Sequence, residues 1–440
     1  MYAMLISISA LLLGVFAMNL GFSLQTTVLG LRAGIEGFPI TLTGVIMAMY
    51  YAGYVGGSVY SPTLVSRVGH IRMFAALASL ASAAALLHAV FISPLTWVVL
   101  RIITGFCIAG LFVVSESWLN HSSTNENRGS VLSIYMVVSL GAGALGQLLL
   151  NAAPLDGTVL FILVSVLVSV SLVPIALTTR AAPILNPSER MKLGTLLSSS
   201  PMGTFGCFSS GLITGAFWGM GAVYAQELKL ATPDIALFMA IVVLGGMLSQ
   251  WPLGRLSDRI DRRLVIAGLG AATAVVSFGL TLSESLSRES VFLLSALFGA
   301  SSFPLYAIAV AHINDTLSSD DFVPASSALL LVYALGALCG PFLGGTSMSM
   351  FGPAGLFYYM AVVSAALWLF ALKRMYSGQT IKAKDKDDFI SVPRTSAQAY
   401  EMASQVVEEA AEEAAEEADN DRSEEHTSEL QSPMYLVCRL

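Results

Sequence analysis

Long apolar runs recur along the chain, each ended by a short polar or Gly- and Pro-bearing break. A helix needs about 20 mostly apolar residues to cross a bilayer. About twelve runs meet that length: 4–29, 42–64, 71–93, 95–119, 129–151 and 157–179 in the first half, then 204–226, 233–254, 263–283, 289–313, 324–347 and 353–373. The pattern predicts an all-α polytopic membrane protein in two six-helix bundles, 1–180 and 204–374, joined by a cytoplasmic linker, 181–203, that carries Pro183, Pro187 and Ser198 to Ser200. The first run is too long for a signal-peptide core and lacks a small-residue cleavage site, so it is expected to remain as a span.

The two halves echo each other. Arg67 and Arg259 follow the second and eighth runs, 192 residues apart. Gly105 and Asn120 are matched by Gly299 and Asn314 at an offset of 194, and Gly141 by Gly336 at 195. Such duplication predicts two bundles that rock about a site near the midplane. Basic loop residues set the orientation. With the N-terminus inside, one face collects Arg67, Arg72, Arg128, Arg180, Arg190, Lys192, Arg255, Arg259, Arg262, Arg263, Lys373 and Arg374, and the other only Arg32, Lys229 and Arg288. Both termini are therefore expected in the cytoplasm, in a multi-pass protein of the cytoplasmic (inner) membrane.

Composition agrees: 55% of the 440 residues are hydrophobic, 12% are charged, and mean hydropathy is +0.74. A soluble domain carries about a quarter charged residues. Charge this sparse excludes a water-soluble enzyme, a disordered chain and a nucleic-acid binder. The net charge of −7 is uneven, being +2 over residues 1–374 and −9 over 375–440. Residues 375–421 read as an acidic cytoplasmic tail that cannot join the bundle, with glutamate pairs from Glu408 to Glu417 repeating every four residues, as suits a solvated, frayed helix or disorder. Arg422 to Pro433 resembles the translation of a sequencing-adapter read, so 422–440 are set aside from fold reasoning. The cysteines Cys107, Cys207, Cys339 and Cys438 have no metal-ligand spacing. No metal and no cofactor is expected.

Four motifs carry chemistry. Gly254-Arg-Leu-Ser-Asp258-Arg259-Ile-Asp261-Arg262-Arg263 is a basic loop in which Gly254 allows close helix approach and Asp258 can latch onto an arginine. Arg101-Ile-Ile-Thr-Gly105 puts an arginine inside a span, where it must face a cavity or a partner, or snorkel to the interface. Gly336-Ala-Leu-Cys-Gly340-Pro341-Phe-Leu-Gly344-Gly345 permits tight packing and a kink. Glu116, in Ser115-Glu116-Ser-Trp118-Leu-Asn120, lies one turn inside the cytoplasmic end, where it can pair with Arg67, Arg72 or Arg128 or carry a proton.

The loop from Gly254 to Arg263 resembles the signature loop of the major facilitator superfamily, with Asp261 where that family usually has glycine. The first-half copy, Pro62 to Arg72, has Ser66 in place of the acid and His70 after Gly69. Arg101 to Gly105 resembles the family's arginine-xxx-glycine motif. The glycine-proline string from Gly336 to Gly345 is similar to that of the family's antiporters, moved from the fifth helix to the eleventh. With Pro304-Leu-Tyr306, His312-Ile-Asn314-Asp315 and Arg128-Gly129, residues 4–374 look like the YcaD-like branch.

The resemblance implies that spans one, four, seven and ten line a central pathway. The substrate-cavity candidates are Asn19, Ser23, Gln25, Thr26, Arg101, Trp218, Tyr224, Gln226 and Tyr306, of which Asn19, Ser23 and Thr26 share one helix face. Glu116, Asp258, Arg259, Arg128 and His312 are the proton-coupling or gating candidates. Gly105, Gly336, Gly340, Pro341 and Gly344 are the helix-packing candidates. Tyr50, Tyr51 and Tyr54 read as packing, and Gln147, Asn151 and Gln250 as interhelical hydrogen bonding. A mostly neutral cavity with one arginine suits an amphipathic or anionic small molecule.

The expected function is secondary active transport of a small molecule by rocker-switch alternating access, coupled to protons and performed by a monomer in the lipid bilayer. No lysine precedes Ser or Thr, so the chain has no phosphate-binding P-loop. A sensor or channel on the same scaffold is the second reading. A membrane enzyme is disfavoured, because the five histidines are scattered and form no zinc-binding pair.

Overall fold

The computed structural model describes residues 2–125, 127–177, 191–317, 321–377, 389 and 392–406. Residues 181–190 of the 181–203 linker and all of 422–440 lie outside these residues, as do the glutamate pairs from Glu408 to Glu417. The described chain is helical, with no strand.

The first half comprises α1 (Tyr2–Ile35), α2 (Ile40–Val68), α3 (His70–Val90), α4 (Pro94–His121), α5 (Arg128–Leu148), α6 (Val159–Val170) and α7 (Leu172–Ala176). A short α8 (Leu193–Ser199) leads into the second half. That half comprises α9 (Pro201–Glu227), α10 (Thr232–Arg259), α11 (Arg262–Leu280), α12 (Arg288–Ser302), α13 (Pro304–Asn314), α14 (Phe322–Phe351) and α15 (Gly355–Ser377). A last helical stretch, α16, covers 397–406. The expected sixth span is α6 with α7, and the expected tenth is α12 with α13, interrupted where Pro304 withholds its amide. Eleven helices among the described residues are long and apolar enough to cross a membrane. With α9, of 27 residues, they make the twelve expected spans.

Glycines decide how closely the helices approach. A Cβ on Gly105 of α4 would sit 1.9 Å from the Tyr50 carbonyl oxygen of α2, and one on Gly53 of α2 would sit 1.9 Å from the Ile102 carbonyl oxygen of α4. The second half repeats the arrangement. A Cβ on Gly299 of α12 would lie 1.9 Å from the Val242 carbonyl oxygen of α10, and one on Gly245 of α10 would lie 2.2 Å from that of Ala296. The two reciprocal pairs are related by the sequence offsets of 192 and 194, so the duplication is visible in the packing. In hydrocarbon the apolar effect does not drive helices together, and close backbone approach supplies dispersion instead. Gly336 and Gly340 of α14 likewise abut α9, where added Cβ atoms would meet the Phe208 and Leu212 carbonyl oxygens at 2.3 and 2.5 Å. A Cβ on Gly344 would touch Leu356 at 3.0 Å.

The two halves meet at one end of the bundle. There Gly44 of α2 faces the Pro341 carbonyl of α14, Gly30 of α1 faces Val223 of α9, and Gln226 donates to the Leu31 carbonyl at 3.2 Å. Arg32 anchors the same end, donating to the Leu155 carbonyl at 3.0 Å and pairing with Glu36 at 2.6 Å. The opposite end, where α4, α10 and α13 finish, gathers the charged residues. Arg262 is held by Asp258 at 3.2 Å and reaches buried Asp315 at 3.4 Å, tying α11 to the end of α13. The counterpart in the first half is uncharged: His70 meets Ser117 at 2.9 Å. Gly69 has φ +88°, a turn that glycine adopts without strain. Asp261, at the equivalent point, instead caps α11, accepting from the Arg263 amide at 2.9 Å and pairing with its guanidinium at 2.8 Å.

Residues 392–406 depart from the expectation for the tail. They form a strap that packs on the charged end, burying Val392, Ala399, Tyr400, Met402 and Ala403. Gly254 is likewise used differently, since the space beside it is filled by the Phe389 ring and not by another helix; an added Cβ would lie 2.1 Å from that ring.

Replacing Gly105 or Gly299 by valine should lower stability by about 1–3 kcal/mol or misassemble the bundle. Gly268→Ala, with nothing within 4 Å, should be neutral or slightly stabilising. Thermal unfolding of the three variants in detergent checks this.

Candidate functional site: a central cavity closed by a C-terminal strap

A cavity of about 180 Å³ lies between the halves, lined from α1, α2, α4, α5, α9, α10, α13, α14 and the strap. Its wall from α1 is the polar face Asn19, Ser23 and Thr26. Ser23 is fixed there by donating to the Gly143 carbonyl and accepting from Gln147, both at 2.6 Å. Trp218, Phe303, Tyr306 and Tyr333 supply aromatic surface from the second half, and Tyr50, Tyr51 and Tyr54 supply it from α2. Gln250 also faces the cavity.

Arg101 reaches this cavity because Gly105, one turn further on, lets α4 press against α2 at Tyr50. The guanidinium then lies 4.7 Å from the Tyr50 ring centroid. It is 1% exposed, and its Nε and Nη1 have no hydrogen-bond partner among the described residues. A desolvated cation over an aromatic face gains about 2 kcal/mol, less than a buried guanidinium gives up in lost hydration.

Glu116 stands deeper toward the charged end, 1% exposed. Its Oε1 accepts from the hydroxyls of Tyr135 and Thr395, and its Oε2 accepts from that of Ser396. The expected arginine partners are not what holds it; three hydroxyls do, two of them from the strap. Ser396 also caps α16, accepting from the amides of Gln398 and Ala399 at 3.2 and 3.4 Å. Tyr54 donates to the Thr395 carbonyl and Tyr400 to Asn314. Arg394 projects over Phe303 and Tyr333, 5.1 and 5.6 Å from their centroids. The strap thus touches both halves and closes the charged end of the cavity.

Three cavity candidates lie elsewhere. Tyr224 donates to the Leu280 carbonyl at 3.0 Å and shares a hydrogen bond with the Ser283 hydroxyl at 2.7 Å, behind α9. Gln226 bridges α9 to α1 at the sealed end, and Gln25 is buried outside the cavity lining. Counting along a helix gives its number but not which way each residue turns. Among the gating candidates, Asp258 holds Arg262, Arg259 is exposed, Arg128 begins α5, and His312 is buried near the end of α13. The cavity residues missed from sequence include the α2 tyrosines, Phe22, Met47, Phe303, Tyr333 and the strap. The period of Ala399, Tyr400, Met402, Ala403 and Val406 behind Ser396 is that of a capped amphipathic helix, and it was the available signal for the strap.

The Major Facilitator Superfamily family model matches residues 11–287 and 203–407. A protein of Salmonella arizonae, named an uncharacterized MFS-type transporter YcaD, is 30% identical over 384 residues, covering 85% of this chain and 96% of its own. Among solved structures, the nucleoside transporter NupG is similar with a TM-score of 0.68 at 12% identity, covering 85% of this chain and 99% of its own. A bacterial homologue of the human lysosomal transporter Spinster, inward-facing and occupied, is similar with a TM-score of 0.64 at 14% identity, covering 88% and 98%. The chain belongs to the major facilitator superfamily and is a multi-pass membrane transporter.

Removing residues 389–440 should open the charged end of the cavity. In a cysteine-free background, a cysteine placed at Ser139 should react at least tenfold faster with a soluble maleimide in the truncated chain than in the full chain. Equal rates would show that the strap does not close the cavity.

Proposed function

We propose that this major facilitator superfamily member is a proton-coupled secondary transporter of a small molecule, working by alternating access between its two bundles, residues 1–180 and 204–374. The supporting observation is the asymmetry of the cavity's two ends. One end is sealed by helix against helix, at Gly44 with Pro341 and Gly30 with Val223. The other is closed by a strap held through a few side-chain hydrogen bonds and an aromatic-seated arginine. On the basic-loop orientation, the strap end faces the cytoplasm of the cell that carries the protein in its inner membrane.

In this reading Glu116 couples the proton to the strap. An ionised carboxylate only accepts hydrogen bonds, and Glu116 accepts three. Protonation turns one oxygen into a donor. Ser396 is poorly placed to accept it, since its own oxygen already faces the amides of Gln398 and Ala399. Protonation therefore weakens the strap's hold, opening the cytoplasmic end. Release of the proton restores a carboxylate that accepts from three hydroxyls and lets the strap dock again. Arg101 and the tyrosines of α2 contact the cargo, and the monomer suffices because the cavity lies within one chain.

Purified protein in proteoliposomes with a trapped pH dye tests this. A cargo found by screening anions, sugars, amino acids and amphipathic compounds should move protons with it. Glu116→Gln should abolish the proton movement, and Arg101→Ala should cut transport at least tenfold with normal membrane insertion. Uptake with no proton response, or unchanged uptake in Arg101→Ala, would contradict the reading.

A further inference from the structure

Two guanidinium groups, that of buried Arg101 and that of half-buried Arg394, face one cavity with buried hydrogen-bond donors unfilled among the described residues. Arg101 leaves Nε and Nη1 without partners and Arg394 leaves Nη1 without one, each atom shut off from solvent. Both residues line the same space. Among the described residues no aspartate or glutamate lines the cavity, and Glu116, just beyond, has both oxygens occupied by hydroxyl donors. A buried charge is retained when something pairs with it and fills its donors. The aromatic faces of Tyr50, Phe303 and Tyr333 stabilise the cations from one side but accept none of the in-plane N–H bonds.

We infer that the cavity is a binding site for an amphipathic organic monoanion whose carboxylate-like head is gripped by Arg101 of the bundle and Arg394 of the strap. This rests on the transport reading and adds its cargo class. Guanidinium forks match a carboxylate in geometry as well as charge. The remaining wall, with Phe22 and Met47 from the first half and Trp218, Phe303 and Tyr306 from the second, suits a flat apolar body. An organic cation faces two like charges and, among the described lining residues, no acid. A neutral molecule leaves the donors unfilled. The strap is then part of the site: it brings the second charge, and the occluded form is complete only with it docked.

The test uses the purified full chain in a neutral detergent and does not depend on transport. Calorimetry would compare benzoate and 1-naphthoate with 1-naphthalenemethanol and 1-naphthylmethylammonium. The carboxylates should bind, the alcohol at least tenfold more weakly than naphthoate, and the ammonium not at all. Loss of one charge-assisted hydrogen-bonding partner corresponds to roughly 10- to 100-fold in affinity. Arg394→Gln and Arg101→Gln should each weaken naphthoate by that factor and leave the alcohol unchanged. Arg394 lies on the strap, outside the packed bundle, so its variant stays informative should Arg101→Gln fail to fold. Binding of the ammonium as tightly as naphthoate, or of neither carboxylate, would overturn the inference. So would tighter naphthoate binding in Arg394→Gln, which would make the strap a competitor for the cavity. Proton-coupled transport of some other cargo alongside any of these results would leave the transport reading intact and reject only the cargo class.

Discussion

The close contact of α2 with α4 is the constraint from which the site follows. At Gly105 and Gly53 the two backbones approach until no side chain fits between them. Tyr50, whose carbonyl meets Gly105, is also the residue whose ring lies under Arg101. An arginine one helical turn from a crossing glycine is thereby delivered to a cavity and not to lipid. The second half has the same crossing at Gly299 and Gly245 but carries Ser295 at the position equivalent to Arg101. That serine donates its hydroxyl to the Val291 carbonyl of its own helix at 2.6 Å. Duplicated packing with unduplicated chemistry gives the cavity a buried arginine from the first bundle and no counterpart to it from the second.

The two ends of the molecule are built from different interactions, and this difference underlies the functional reading. Where α2 meets α14 and α1 meets α9, glycine permits backbone contact, and parting those helices forfeits many dispersion contacts at once. At the charged end the closing element is a short strap whose polar bonds converge on Glu116, Tyr54 and Asn314. A few hydrogen bonds to a titratable group are easier to shift than a helix crossing. The ion pairs of Arg262 with Asp258 and Asp315 brace the helix ends around the strap in the second half, and His70 with Ser117 does so without charge in the first.

Much of the fold was legible because the membrane permits few alternatives. Where water is absent, backbone groups must be satisfied within a helix, so run length identifies spans directly. Gly105, Gly336 and Gly340 were legible as packing residues because small residues inside apolar runs have little other use. The cavity was legible only in part. Asn19, Ser23 and Thr26 share a face by helical period, and the structure puts that face on the cavity. Tyr224 and Gln226 lie near the end of the same helix as Trp218, yet rotation about the axis turns them to α11 and α1. The strap was missed because its net acidic surroundings masked a short amphipathic helix whose apolar residues number too few for a span.

The strap's seat on the bundle is the central claim, and one covalent measurement reaches it directly. A Cβ on Gly129 of α5 would lie 3.3 Å from Cγ1 of Val406, a separation suited to a disulfide. In a cysteine-free full-length chain in membranes, Gly129→Cys with Val406→Cys should cross-link nearly completely under mild oxidation. A control pairing Val406→Cys with a cysteine at Arg32, at the sealed end, should not. Cross-linking no faster than that control would contradict the docked strap, and with it the gate assigned to Glu116.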